Sequence, residues 1–272
     1  MSQPFIIMCA PNGARKNKND HPALPISDSE LADCAESIVR AGASIIHLHV
    51  RDDKGAHSLN ADRYRSATRA IRERVGRQLV IQVTTEACGI FDRQQQMAMV
   101  RSLKPEAVSL ALRELCPDGD SDSEPVAAEF FAWLTERGVL TQYILYSAEE
   151  VARFEALRRK KVIGDAVPFV LFVLGRYSKD LVGDVQELAA FVDAVSADTV
   201  WAVCSFGETE HAAVEEAIRL GGHARVGFEN NITLPDGSVA KDNSALVGLA
   251  AKRAQSASRD LASADYVRQL FA

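Results

Sequence analysis

The chain has 272 residues, of which 47% are hydrophobic and 25% are charged, and its formal net charge is −6. This composition is ordinary for a soluble globular protein, and the negative charge argues against general binding of nucleic acids. No segment approaches the roughly 18 consecutive apolar residues of a membrane span. Residues 1–7 run directly into a predicted strand, so we expect no signal peptide and a cytoplasmic protein.

Short β-branched segments alternate with amphipathic segments along the chain. We predict strands at 5–11, 44–51, 79–86, 107–112, 140–146, 168–175, 199–206 and 223–230. We predict helices at 28–41, 62–74, 92–103, 125–137, 148–159, 184–195, 208–219 and 242–257. Ser27 and Ser147 each precede a glutamate by the capping-box spacing, and Gly42, Gly76 and Gly138 are placed to end helices.

Eight strands, each followed by a helix, predict a (β/α)8 TIM barrel that forms a single domain over residues 1–272. The main alternative is a doubly wound open sheet. The G-x-G-x-x-G turn of a dinucleotide-binding sheet is absent after the first strand. In the predicted strand 79–86, Gln82, Thr84 and Glu86 share one face opposite aliphatic side chains, whereas both faces of an open parallel sheet should be apolar. The alternation therefore favours a barrel with a polar lumen.

The second predicted strand carries an H-x-H pair, His47 and His49. Side chains two residues apart point to the same face of a strand, so both imidazoles can reach one divalent metal. The alternative is a pair of hydrogen-bonded core histidines. Arg51 and Asp52 at the strand end favour the metal site.

Closure of the barrel pairs the eighth strand with the first, which neighbours the second. Glu229, near the end of the eighth strand, is then within reach of His47 and His49, and these three residues are a common catalytic zinc set. Mn²⁺, Fe²⁺ and Co²⁺ use the same ligand types. Arg225 lies on the same strand face as Glu229. A buried cation there is either a structural partner of Glu229 or a catalytic group aimed at a carboxylate or an enolate.

Two long connections lie at the predicted catalytic face. Residues 12–27 are basic and rich in Gly, Asn and Pro, and residues 113–124 are acidic. Loops of this length are either functional or simply solvated surface, and the acidic segment lacks the spacing of a Ca²⁺ loop. The five cysteines are odd in number and contain no C-x-x-C pair, so we expect mainly core thiols in a reducing compartment.

Taken together, these residues resemble the β-keto acid cleavage enzyme family, to which the 3-keto-5-aminohexanoate cleavage enzymes belong. The resemblance runs essentially from end to end. Its landmarks are Asn12-Gly13-Ala14-Arg15, Asp20-His21-Pro22-Ala23-Leu24-Pro25, His47-Leu48-His49-Val50-Arg51-Asp52, Gln82-Val83-Thr84-Thr85 and Arg225-Val226-Gly227-Phe228-Glu229-Asn230-Asn231.

The resemblance implies that a β-keto acid and acetyl-CoA give acetoacetate and a new acyl-CoA. It implies that His47, His49 and Glu229 bind zinc, which polarises the keto carbonyl. Arg225 matches the catalytic arginine of the family, and Thr84 matches a serine or threonine that hydrogen-bonds within the site. A homotetramer is also implied by the resemblance.

The chain departs from the pattern of the family at two positions. Asn230 stands where relatives carry an aspartate that works with the arginine, so the role of the base passes to Arg225 with another carboxylate such as Glu86 or Glu114, or to a metal-bound oxygen. Ile144 replaces a pocket carboxylate of the fifth strand, which argues against a cationic substrate and for a neutral or anionic one. We expect contact with substrate or CoA from the following residues: Asn12, Arg15, Arg51, Ser109, Arg113 and Glu114.

Two other functions use the same residues. A metal-dependent aldolase or hydrolase would act on a keto acid without CoA. A metal-bound barrel without activity would sense a metabolite, and Asn230 in place of the aspartate is the feature that favours it.

Overall fold

The structure is a computed structural model and describes residues 3–120, 122–164 and 166–272. Its strands are β1 (Ile7–Cys9), β2 (Ile45–Leu48), β3 (Val50–Arg51), β4 (His57–Ser58), β5 (Val80–Thr84), β6 (Ala107–Ala111), β7 (Leu140–Leu145), β8 (Phe169–Leu174), β9 (Val200–Ser205) and β10 (His223–Val226). Eight of them form a closed parallel barrel in the order β1-β10-β9-β8-β7-β6-β5-β2, and β3 pairs with β4 in a separate hairpin. The predicted (β/α)8 barrel is confirmed.

Helices surround the barrel. They are α1 (Asp28–Ala41), α2 (Ala61–Val75), α3 (Arg93–Leu103), α4 (Leu112–Leu115), α5 (Ser123–Glu136), α6 (Ala148–Arg159), α7 (Glu187–Ala194), α8 (Glu210–Leu220), α9 (Asn243–Ser256) and α10 (Ala264–Leu270). No helix in the described ranges is both long enough and apolar enough to span a bilayer.

Strand alternation divides the core into two layers. Side chains such as Ile46 and Leu48 of β2 point outward and pack under the helices. Side chains such as Ile45 of β2 and Leu171 of β8 point inward and fill the lumen. The lumen is apolar at its lower end and polar toward the carboxyl ends of the strands. This gradient places the chemistry at one face of the barrel.

Helix ends follow the predicted signals. Ser27 and Glu30 form a complete capping box, and the Oγ of Ser147 accepts from the backbone N–H of Glu150. Gly42 ends α1 with φ = 108°, a conformation that glycine adopts without the steric cost of a Cβ atom.

The structure corrects two predicted strands. The predicted strand 44–51 divides after Leu48, and its last residues turn away to pair with β4. The predicted strand 223–230 ends at Val226, because Gly227 takes φ = 131° and the backbone turns. Glu229 therefore lies in a turn rather than on a strand face.

Two helices were not predicted, α4 and α10. The segment 113–124, which was predicted as a loop, is partly helical, because its first residues belong to α4 and its last residues to α5. Ser121 lies outside the described residues. The segment 12–27 between β1 and α1 contains no helix or strand.

Candidate active site

Two histidine rings face each other at the carboxyl end of β2. The Nε2 atoms of His47 and His49 are 3.1 Å apart, and both side chains are buried. The Oε2 atom of Glu229 lies 3.7 Å from Nε2 of His47 and 3.4 Å from Nε2 of His49. Glu229 can approach the histidines because β1 pairs with both β2 and β10, so a single strand separates the carboxyl ends of β2 and β10. The three predicted metal ligands therefore converge.

These residues fit a divalent metal. Two atoms that each lie about 2.0–2.1 Å from a tetrahedral zinc are roughly 3.3–3.4 Å apart, close to the separations seen here. The buried Oε2 of Glu229 has no hydrogen-bond partner among the described residues. The contact of 3.1 Å between the two rings is also a hydrogen-bond distance, which is the alternative interpretation of the pair. The carboxylate beside both rings is the feature that favours a metal.

Gln82 fixes the ring of His47. Its Oε1 lies 2.9 Å from Nδ1 of His47, so Nδ1 carries the proton and Nε2 is free to bind a metal. Burial, with the charge of Arg225, lowers the pKa of His47 to about 3. The imidazole is therefore neutral at physiological pH, as a metal ligand must be.

Arg225 is a buried cation beside Glu229. Its Nη2 donates to Oε1 of Glu229 at 3.0 Å and to the sulfur of Cys204 at 3.3 Å. In the described part of the chain, Nε and Nη1 have no partner. Burial acts to raise the pKa of Glu229, but the charge of Arg225 is the main opposing cause, and that pKa is held well below the ordinary value. Arg225 thus keeps Glu229 ionised and has N–H donors left for a ligand.

Two side chains from outside the barrel hold the turn that carries Glu229. Oε2 of Glu210 accepts from the backbone N–H of Gly227 at 3.1 Å, and Oδ1 of Asn243 accepts from that of Phe228 at 2.9 Å. Burial raises the pKa of Glu210 to about 8. Neither Glu210 nor Asn243 was singled out from the sequence, because contacts between a helix and a turn far apart in the chain leave no local pattern.

The segment 12–27 is tied to the ligands. Nδ2 of Asn12 donates to the carbonyl oxygen of His49 at 3.0 Å, and Nζ of Lys16 donates to that of Glu229 at 2.7 Å. The guanidinium of Arg51 is buried and donates to the carbonyl oxygens of Gly13 and Lys16. Arg51 therefore stabilises the backbone conformation of this segment.

Glu86 projects from the end of β5 toward the same centre. Its Oε2 lies 4.0 Å from Nε2 of His49, and its Oε1 accepts from Arg15 at 2.7 Å and from Arg176 at 3.4 Å. Burial acts to raise the pKa of Glu86, but the contacts of its carboxylate with His49 and Arg15 lower it. Arg176 lies two residues after the end of β8, a position at the catalytic face that could have identified it from the sequence.

Two cavities flank the predicted metal ligands. The smaller has a volume of about 20 Å³ and lies inside the barrel, with Thr84, Ile144 and Arg225 in its wall. The larger has a volume of about 610 Å³ and opens at the catalytic face, with Asn12, Arg15 and Asn230 in its wall. Four residues belong to both: Glu86, Arg176, Phe206 and Glu229.

Four of the residues predicted to contact substrate or CoA do not line either cavity in the described part of the chain. They are Arg51, Ser109, Arg113 and Glu114. Arg113 pairs with Glu150 and lies over the ring of Tyr146, 4.5 Å from its centroid. Glu114 accepts from the backbone N–H of Ala87 at 3.0 Å, and burial raises its pKa to about 7. Ser109 is fully buried in β6, and its hydroxyl has no partner among the described residues.

The fold and the site together define a (β/α)8-barrel enzyme whose reactive groups lie at the carboxyl ends of the strands. A sequence profile described as "beta-keto acid cleavage enzyme" matches residues 4–272. The chain therefore belongs to the β-keto acid cleavage enzyme family, which confirms the resemblance seen in the sequence.

Individual relatives agree with this assignment. The chain is 31% identical to a 3-keto-5-aminohexanoate cleavage enzyme of Fusobacterium nucleatum, over 100% of this chain and 98% of the relative. It is 28% identical to a 3-oxoadipate:acetyl-CoA acetyltransferase of Cupriavidus necator, over 100% of this chain and 95% of the relative.

One solved structure, described as the apo structure of ObcA, matches 92% of this chain and 65% of that chain with a TM-score of 0.74 and 18% identity. This chain thus spans just under two thirds of the ObcA chain, and the likeness concerns the fold alone.

Proposed function

We propose that this enzyme transfers acyl groups between a β-keto acid and acetyl-CoA, giving acetoacetate and a new acyl-CoA. The Cupriavidus necator relative is named as an acetyl-CoA acetyltransferase, which supports this cosubstrate. The observation that carries the proposal is the contact of Arg225 with Glu229 beside two facing histidines. The metal is proposed to be zinc, and cytoplasmic location and a homotetramer stay predictions.

His47, His49 and Glu229 would hold the metal, which would act as a Lewis acid on the keto carbonyl. The free N–H donors of Arg225 are positioned to stabilise the enolate that forms when the carbon between the keto and carboxyl groups loses its proton. Thr84 lines the same small cavity and offers a hydroxyl for a further hydrogen bond.

Glu86 is the proposed base. It lines both cavities, and its Oε2 lies 4.0 Å from Nε2 of His49, beside the proposed metal ligands. Asn230 cannot accept a proton as an aspartate would, so it can contribute only hydrogen bonds to the reaction. Glu114 lies outside both cavity walls, which favours Glu86 over it.

The substrate is proposed to carry a short, uncharged side chain. Beyond the catalytic groups, Tyr146 and Arg176, the wall of the small cavity is apolar, with Ala111, Ile144, Val173 and Phe206. Arg176, the cation in this wall besides Arg225, already contacts Glu86. A charged substrate side chain would lose its hydration here without gaining a free counterion.

The test is acetoacetate formation by zinc-loaded protein with acetyl-CoA and a panel of neutral, anionic and cationic β-keto acids. We expect turnover with short neutral substrates, and its loss in both His47→Ala and Glu229→Gln. Ile144→Glu should shift the preference toward a cationic substrate. Cleavage without acetyl-CoA would assign an aldolase or hydrolase instead, and zinc binding without any product would favour the sensor.

A further inference from the structure

His49 lacks the second contact that His47 has. Nδ1 of His47 meets the amide oxygen of Gln82, whereas Nδ1 of His49 is buried and makes no hydrogen bond within the described part of the chain. Nε2 of His49 faces the other two proposed ligands, so Nδ1 carries the proton of the neutral ring when Nε2 binds a metal. A metal-binding histidine almost always donates this second N–H to an acceptor. The second histidine ligand therefore needs an acceptor beside it.

The hairpin of β3 and β4 brings a third histidine, His57, to the ring of His49. Arg51 of β3 pairs with His57 of β4, so the chain that leaves the barrel after β2 folds back toward its end. The ring centroids of His49 and His57 are 5.2 Å apart. On another side of His57, the ring of Phe91 packs edge-on with a centroid distance of 5.8 Å. These contacts enclose His57 and hold it next to the metal ligand.

The tautomer of His57 makes it an acceptor. Its Nε2 lies 2.8 Å from the carbonyl oxygen of Glu86, which can only accept, so Nε2 carries the proton. A second proton would place an unpaired charge in the interior, so Nδ1 is bare. This Nδ1 atom is buried and has no hydrogen-bond partner among the described residues.

An unpaired donor and an unpaired acceptor thus lie on neighbouring rings. The pair of His47 and His49 shows what this separation permits, because their centroids are 5.0 Å apart and their Nε2 atoms 3.1 Å. The separation of 5.2 Å between His49 and His57 therefore allows a direct N–H···N hydrogen bond. Buried polar groups are rarely left unpaired, and these two complement each other.

We infer that His57 is a positioning residue, which accepts the Nδ1–H of His49 and so presents Nε2 of His49 to the metal. The inference rests on the metal site of the proposed function, since it concerns one of the ligands of that site. His57 does for the second histidine what Gln82 does for the first. The hairpin of β3 and β4 thereby becomes part of the site, although none of its residues is among the three ligands.

The test separates the two nitrogens of His57. An asparagine amide can occupy the place of Nδ1 and a glutamine amide that of Nε2, so His57→Asn keeps the acceptor and His57→Gln keeps the donor to Glu86. In the full-length protein, His57→Gln should lower zinc affinity about tenfold, measured by competition with a chromogenic chelator, and His57→Asn less than about twofold. His223→Gln is the matched control, because His223 is a buried histidine at the opposite end of the barrel.

Nuclear magnetic resonance of the ¹⁵N-histidine-labelled, zinc-loaded protein gives a readout that a purely structural role would not change. The Nδ1–H of His49 should exchange slowly with solvent in the wild type and in His57→Asn, and quickly in His57→Gln. Thermal melting of each variant verifies folding. Should His57→Asn not fold, the comparison of His57→Gln with the wild type still decides.

Each outcome bears on one proposal or on both. Unchanged zinc affinity in His57→Gln, an equal loss in both variants or a loss confined to His57→Asn would overturn the role of His57 and leave acyl transfer intact. Wild-type protein that binds no zinc would overturn this role together with the proposed metal. The predicted loss in a protein that forms no acetoacetate would support the role of His57 and overturn the proposed reaction.

Discussion

Gln82 determines which nitrogen of His47 is available to bind a metal. Its carbonyl accepts from Nδ1 of the ring, and its Nε2 in turn donates to Oε1 of Gln142 at 3.2 Å. The sequence pattern predicted that Gln82 faces the lumen, and the structure identifies His47 as its hydrogen-bond partner. A residue of this kind orients a metal ligand without touching the metal.

Gln82→Leu should therefore weaken metal binding. The substitution keeps the side-chain size but removes the acceptor that fixes the tautomer and the ring orientation of His47. We expect zinc affinity to fall about 10- to 100-fold, measured by competition with a chromogenic chelator. Gln142→Leu is the comparison and should cost less zinc affinity, because it removes the partner of the Gln82 amide but leaves the acceptor of His47 in place. Equal losses in the two variants would show that the effect comes from the polar lumen in general.

His47 and His49 were predictable as a pair, since the strand period places both on one face. Their hydrogen-bonding environment was not predictable. The orientation of the His47 ring depends on β5, and the approach of Glu229 depends on β10, both far away in the sequence. Arg51 illustrates the same limit: its position beside the H-x-H pair suggested a ligand contact, whereas its guanidinium binds the carbonyl oxygens of the segment 12–27.

At the level of elements, the turn after β10 determines where Glu229 points. Gly227 has φ = 131°, and a Cβ atom there would lie 2.6 Å from the carbonyl oxygen of Ala10. The close approach lets the backbone N–H of Glu229 bond to that same oxygen at 3.1 Å. The sequence predicted a continuous strand through this point, because Gly227 fits a strand alternation as well as it fits a turn.

Gly227→Ala should destabilise the protein and displace Glu229. The added Cβ meets backbone that cannot move without disturbing β1, and the φ angle is unfavourable for alanine. We expect the free energy of unfolding to fall by about 3–4 kcal/mol, measured by urea denaturation.

Gly237→Ala provides the matched comparison. Gly237 also has a positive φ, 81°, but a Cβ atom there meets no atom within 4 Å. Its substitution should cost only the backbone term of about 1–2 kcal/mol and leave zinc affinity unchanged. If the two variants were equally destabilised, the close contact at Gly227 would not be what determines the turn.

For the whole molecule, the count of alternating strands and helices was enough to predict the closed barrel. The pattern did not predict the strand ends or α10. Phe271, just after α10, stacks on Phe169 of β8 with centroids 4.7 Å apart, and Arg268 of α10 pairs with Glu106. A short helix of this kind is specified by the barrel end that it covers and has little periodicity of its own, so only the folded chain defines it.

The predicted metal site lies where the barrel closes. β1 has only three residues, Ile7–Cys9, and it is the strand that joins β10 to β2. A metal bound by His47, His49 and Glu229 would link the two neighbours of this short strand. Because the three ligands come together only in the folded chain, metal binding should stabilise the folded state.

Zinc at about 100 times its dissociation constant should therefore raise the melting temperature by about 5–10 °C, measured by scanning calorimetry against chelator-treated protein. Glu229→Gln should lose most of this increase, since an amide is a weaker ligand than a carboxylate. Glu208→Gln should retain it, because Glu208 is an exposed carboxylate of the larger cavity and not one of the three ligands. An increase that persists in Glu229→Gln would place the stabilising metal elsewhere and remove Glu229 from the ligand set.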